Sequence, residues 1–294
     1  MVADLSAASV SNARRPTDWL RRVLLRDAAS AVGLFLLLAI GLAALLAPWI
    51  TGYDPNQAQP AARLQGPSGE HWFGTDNLGR DVFARVIYGA RASLGVGGAV
   101  VLGAVGAGAL LGLVTGYYRR ADAVLMRLLD GLMAFPGLVL AISLVGVMGP
   151  GVWTVIIALT IVYAPRVARV VRGSAIVLKD QPMVEAARQM GAGSPYIVAR
   201  HVAPHCLSPI IVQGSFIFSY AVLGEAALSF LGVGVPPAIP TWGNILSEAR
   251  TYLQQAWWMA IAPGVFIFLA VLALNLVGDS LRDYFDPKLR RSRK

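Results

Sequence analysis

Apolar residues along this chain gather into six long runs separated by polar connections. The runs fall at about Ser30–Ile50, Ala92–Tyr117, Leu128–Met148, Val152–Val171, Leu207–Gly232 and Trp257–Val277. A run of about 20 apolar residues is long enough for one helix to cross the hydrocarbon layer. Backbone groups in lipid must bond to one another, so the spans are expected as helices. The pattern therefore predicts an all-α polytopic membrane protein with six transmembrane helices.

The connections divide the chain further. Residues 1–29 form a polar tail and 30–50 a first anchor. Ala47-Pro48-Trp49 matches a signal cleavage site weakly, and the run is longer than a signal-peptide core, so the anchor is expected to stay uncleaved. Residues 51–91 form an outer loop, 92–279 a core containing the connection 173–206, and 280–294 a basic tail. Val82 to Leu94 places Val82, Val86 and Gly89 on one helical face with Arg85 near another. It reads as an amphipathic helix at the outer interface, or more plainly as part of an ordered loop capping the bundle.

Within the spans, Gly108, Gly112 and Gly116 recur four apart. This small-residue stripe suits close helix packing, and a moving gate helix is the sharper alternative. Phe135-Pro136-Gly137 is expected to kink the third span, with Asp130 near an arginine partner. Arg166, Arg169 and Arg172 are expected at the inner end of the fourth, which carries Pro165. Trp257 and Trp258 are expected as interface anchors. Glu225 is the one acid well inside an apolar run, which makes it a functional candidate by default. Structural pairing, contact with a substrate amino group and proton coupling are all open to it.

Gln181–Pro204 is different in kind: short, polar and charged between two apolar runs. Pro182 suits a first turn. Val184 to Met190 reads as two helical turns, broken by Gly191 and Gly193. Ser194-Pro195 starts a second short helix, which Pro204 is expected to end. The result is a helical corner outside the membrane, suited to docking another protein; an ordinary connecting loop is the plain alternative.

Composition agrees with the class. The 294 residues are 56% hydrophobic and 14% charged, with a mean hydropathy of +0.61; a soluble domain carries about 25% charged residues. The net charge of +9 comes from clusters flanking the spans, so it reads as topology and not as nucleic-acid binding. With both termini inside, 20 of the 25 Lys and Arg residues lie on the inner side, as the positive-inside rule requires. That places Gln181–Pro204 in the cytoplasm.

Enzyme chemistry finds little support. Cys206 is the single cysteine, so an intrachain disulfide is impossible. A metal site at His201, His205 and Cys206 is conceivable, but Pro204 interrupts their alignment and no acidic ligand adjoins them. A phosphate-binding loop needs Gly-Lys before Ser or Thr. Lys179, Lys288 and Lys294 are the only lysines, and none has that context. Nucleotide energy must come from another subunit.

Four blocks carry a family resemblance. Glu185-Ala186-Ala187, Gly191 and Pro204 resemble the EAA loop of ABC-importer permeases. GTDNLGRD with YGARASL, GEAALSFLGVGVPP with PTWG, and NLVGDSLRDYFDPKLR resemble the dipeptide/oligopeptide permease family, specifically its C-type subunit. From about His71 to Arg290 they follow the family order. The resemblance implies a type I ABC importer permease fold and a multi-pass protein of the bacterial inner membrane. It implies a second permease subunit, two ABC ATPases that carry the ATP and Mg²⁺, and an extracytoplasmic substrate-binding protein. It also implies alternating access and assigns ATPase coupling to Glu185, Ala186, Ala187, Gly191, Ala192, Arg200, His201 and Pro204. Peptides are the expected cargo. Nickel chelates, glutathione or opines, and a proton-coupled carrier running on Glu225, are the alternatives.

Overall fold

The computed structural model describes residues 27–285. The arginines of the expected N-terminal tail and the cluster Lys288 to Lys294 lie outside that range. Among the described residues, helices run α1 Ala28–Leu45, α2 Val82–Tyr117, α3 Arg119–Met133, α4 Gly137–Met148, α5 Val152–Lys179, α6 Pro182–Gln189, α7 Leu207–Phe230, α8 Trp242–Ala249 and α9 Trp258–Phe285.

Five helical runs are long and apolar enough to cross a membrane: α1, α2, α5, α9 and the continuous run Ser194–Phe230 that includes α7. The α3–α4 pair makes a sixth only as a broken span, because the chain turns by 93° between them. The kink expected at Phe135-Pro136-Gly137 is thus a full break. Pro136 cannot donate a backbone bond, and it disfavours helix at the residue before it. At 12 residues, α4 is about 18 Å long, short of the ~30 Å hydrocarbon layer.

One further expectation changes at the outer loop. Val82 to Leu94 does not lie on the bilayer surface; it is the first part of α2, a 36-residue helix about 54 Å long. Val82, Val86 and Arg85 are all fully buried, so protein wraps the segment on both faces. Asp81 caps this helix, accepting from the Ala84 N–H at 2.7 Å. Trp258 is also tied into the protein: its indole N–H donates to the Thr75 carbonyl at 3.1 Å, fastening the loop to α9.

The stripe on α2 is a packing device. A β-carbon added to Gly108 would lie 2.5 Å from Val167 Cβ, one on Gly112 2.6 Å from the Ala168 carbonyl, and one on Gly116 2.5 Å from Ala175 Cβ. Only glycine lets α2 and α5 run this close. Three apolar clusters complete the core. One joins α1, α2, α7, α8 and α9; one joins α2, α4, α5 and α7; the third joins α2, α5, α6 and the run into α7.

Candidate functional site

The Gln181–Pro204 corner is built as a hard-walled projection. Pro182 opens α6, and the helix closes with the Gly191 N–H donating to the Arg188 carbonyl and the Ala192 N–H to the Ala187 carbonyl, both at 3.0 Å. This reciprocal pair is the Schellman closure, which needs a left-handed residue at its centre. Gly191 supplies it with φ +83°. A β-carbon there would meet nothing within 4 Å, so the requirement is conformational and not steric.

The corner has an outer and an inner face. Glu185, Ala186, Met190, Gly191, Tyr196, Arg200 and Pro204 are exposed, while Val184, Ala187, Ile197 and Val202 are buried. Ala192 and His201 are half-buried. The N-cap residue Gln181 makes no side-chain capping bond, and Glu185 stands exposed on the outer face. The buried residues share one cluster with Ala104, Val167, Val171, Ala175 and Ile217 of the spans. Lys179 Nζ also donates to the Gly116 carbonyl at 3.2 Å, and Arg172 grips Asp122 through two bonds of 2.5 and 2.8 Å. Asp130 finds the arginine partner expected for it in Arg169, at 2.7 Å.

Pro204 does not end the second short helix. Ser194–Ile197 passes through a π turn at Val198–Val202 and a 3₁₀ turn at Ala203–Cys206 directly into α7. The Ala203 N–H reaches back to the Val198 carbonyl, and this wider turn lets the chain pass the proline. Such turns recur at functional sites. His205 Nδ1 bonds the His201 carbonyl at 2.8 Å, and Cys206 is buried among apolar residues.

At the other end of α2 the motif blocks converge. Asp76 Oδ2 accepts from Arg80 Nε and from Arg85 Nη1, both at 2.6 Å. Glu248 Oε2 accepts from Arg80 Nη2 at 2.6 Å and Arg85 Nη1 at 2.5 Å. Two acids and two arginines thus balance, with Asp76 and the Arg85 side chain fully buried. His71 Nδ1 lies 2.9 Å from Asp81. Arg85 and Glu248 are the residues sequence reasoning missed. Two acids at Asp76 and Asp81 ahead of Arg85 were the available signal, but Glu248 lies 163 positions beyond Arg85.

Glu225 sits just below, fully buried. Its two oxygens accept from Ser93 and Ser229 at 2.8 Å each. Ser93 also accepts from the Trp242 N–H at 3.3 Å, and the Trp242 indole donates to the Val86 carbonyl at 3.0 Å. A β-carbon on Gly243 would lie 2.4 Å from the Ala226 carbonyl, so α8 packs hard on α7. The partners of Glu225 among the described residues are hydroxyls of this same chain.

Comparison with known proteins agrees with this geometry. Residues 104–291 match the profile of the binding-protein-dependent transport system inner membrane component family, and residues 18–67 match the N-terminal transmembrane domain of oligopeptide transport permease C. A Brucella abortus protein whose name places it in a peptide transport system is 48% identical over 277 residues, 94% of each chain. The dipeptide transport system permease protein of Alkalihalophilus pseudofirmus is 43% identical over 91% of this chain and 88% of its own. The glutathione transport system permease protein of Pectobacterium atrosepticum is 44% identical over 99% of this chain and 97% of its own.

Proposed function

Because this chain belongs to the binding-protein-dependent transport system inner membrane component family, we propose that it is the permease subunit through which an ATP-driven importer brings di- or oligopeptides into the cell. Its partners in this reading are a second permease, two ABC ATPases holding ATP and Mg²⁺, and an extracytoplasmic binding protein. The chain itself carries no nucleotide chemistry. Both termini and the Gln181–Pro204 corner face the cytoplasm, in keeping with the distribution of Lys and Arg.

The observation that carries the coupling role is the division of the corner into two faces. Glu185, Ala186 and Arg200 are presented outward beside Gly191 and Pro204, whereas Ala187 is seated in the cluster that also holds α2, α5 and α7. Ala192 and His201 bridge the two faces. A displacement of the corner by an ATPase is therefore a displacement of the spans. Nucleotide can then bias inward and outward states, which alternating access requires.

Peptide cargo rests on the names of the relatives. Glutathione is itself a peptide and falls within the same class; nickel chelates and opines are the remaining cargoes of this importer type. A proton-driven carrier working through Glu225 is disfavoured because that carboxyl is enclosed and held at both oxygens by hydroxyls. The test is uptake of a labelled dipeptide in cells carrying the chain and its genomic neighbours as their only peptide system. Uptake is expected to fall to background on ATP depletion and to survive an uncoupler while ATP is maintained. Uptake that ignores ATP and collapses with the uncoupler would overturn the reading.

A further inference from the structure

Arg166 stands at the midpoint of α5, about 20 Å from either end, yet it is exposed on the surface of the chain. The sequence pattern places it at the inner end of the span, and α5 runs on past that end to Lys179, so Arg166 stays within the apolar helix. A cationic side chain exposed to lipid within an apolar span is costly, and such residues face a water-filled path or protein. The α5 face at Arg166 is thus not a lipid face.

The surroundings are specific. The Arg166 guanidinium carbon lies 5.5 Å from the Tyr163 ring centre and 5.3 Å from that of Tyr220. Tyr220 is 47% exposed and belongs to the middle of α7. The Tyr163 hydroxyl donates to the Tyr220 carbonyl at 2.9 Å, which ties the two helices together at this level. Two rings hold the cation by its face. Its in-plane N–H fork has no carboxylate within 4.0 Å among the described residues, whereas the next arginines along the same helix do: Arg169 pairs with Asp130 and Arg172 with Asp122. Beside Arg166 lies the α3–α4 break, where Phe135 and Gly137 line a small cavity with it.

We propose that Arg166, held between Tyr163 and Tyr220, is a way-station on the translocation path that binds the terminal carboxylate of a peptide in transit. This rests on the peptide-importer reading and adds a residue and a chemistry to it. A planar guanidinium fork matches a carboxylate through two parallel bonds. The site would read the one group that peptides share irrespective of their side chains, which fits a path that passes many sequences. A single such contact is also weak enough to release the cargo onward.

The test compares wild type, Arg166→Gln and Arg166→Lys in the assembled transporter, with labelled dipeptide uptake normalised to the amount of partner permease and ATPase that co-purifies. Arg166→Gln is expected to assemble fully and to lower the maximal uptake rate by about tenfold or more, as loss of a charge-assisted bond implies. Half-saturation, set by the binding protein, is expected to stay within about twofold. Arg166→Lys is expected to recover part of the rate, since it keeps the charge without the fork. Wild-type rates in Arg166→Gln, or a lysine variant no better than glutamine, would overturn the proposal. Loss of the partner permease from Arg166→Gln would also overturn it, by making Arg166 a subunit contact. Absence of peptide uptake in wild type would instead strike the peptide-importer reading itself.

Discussion

Glu225 illustrates what single residues reveal and conceal. Its position as the one acid deep in an apolar run was plain from the sequence, which left its role open. Its partners were not, because Ser93 lies 132 positions away and no local pattern links them. Both oxygens are satisfied by hydroxyl donors, so the group is expected to act as a fixed acceptor. Glu225→Gln keeps a carbonyl acceptor of the same shape, and dipeptide uptake is expected to stay within about threefold of wild type. Glu225→Leu strands buried hydroxyls, which costs roughly 1–3 kcal/mol and is expected to appear as a lower melting temperature of the purified complex. Loss of uptake in a stably folded Glu225→Gln transporter would return the carboxylate to the transport path. The Asp76–Arg80–Arg85–Glu248 group shows the same limit of local reading. Its balance of charge was assembled from the outer loop, α2 and α8, which only tertiary structure brings together.

Helices were more legible than their breaks. Apolar runs located five of the six expected spans as continuous helical runs, because lipid forces helix on a long apolar stretch. Proline was the recurrent source of error, since its effect depends on what the neighbouring chain can absorb. Pro136 produced a 93° break where a kink was expected, Pro165 was accommodated inside α5, and Pro204 was passed by a π turn where an end was expected. The glycine stripe was read correctly because a four-residue spacing has one geometric meaning on a helix. It also allows a controlled comparison. Gly112→Val is expected to drive α2 from α5 and to lower the thermal stability of the complex by several kcal/mol, since the obstructing atoms include backbone. Gly106→Val, where an added β-carbon meets nothing within 4 Å, is expected to be nearly neutral. Equal effects at the two sites would show that α2 and α5 do not pack as described.

On the scale of the whole molecule, one long helix connects two unlike ends. The N-terminus of α2 is enclosed by the outer loop, α8 and a buried charge group, and its C-terminus by the corner that carries the EAA-type sequence. The family and the order of its motifs were readable in the sequence, because those blocks are the places where distant parts of the chain must meet: Ser93 from the second block touches Glu225 and Trp242 from the third. The setting of Arg166 was not readable, since the approach of Tyr163 and Tyr220 to its guanidinium depends on how α5 and α7 pack.

The central claim is that the Gln181–Pro204 corner docks an ATPase and passes its movement to the spans. Its most direct test is co-purification from detergent-solubilised membranes, with wild type set beside the double variant Glu185→Arg plus Gly191→Asp. The first change reverses an outward charge, and the second places a side chain at φ +83°, which costs about 1–2 kcal/mol and misaligns the corner. Wild type is expected to bring down a second permease and ATPases. The double variant is expected to insert normally, retain the permease, lose the ATPases and abolish transport. Undiminished recovery of ATPases with the double variant, or a wild-type chain that purifies alone, would contradict the account.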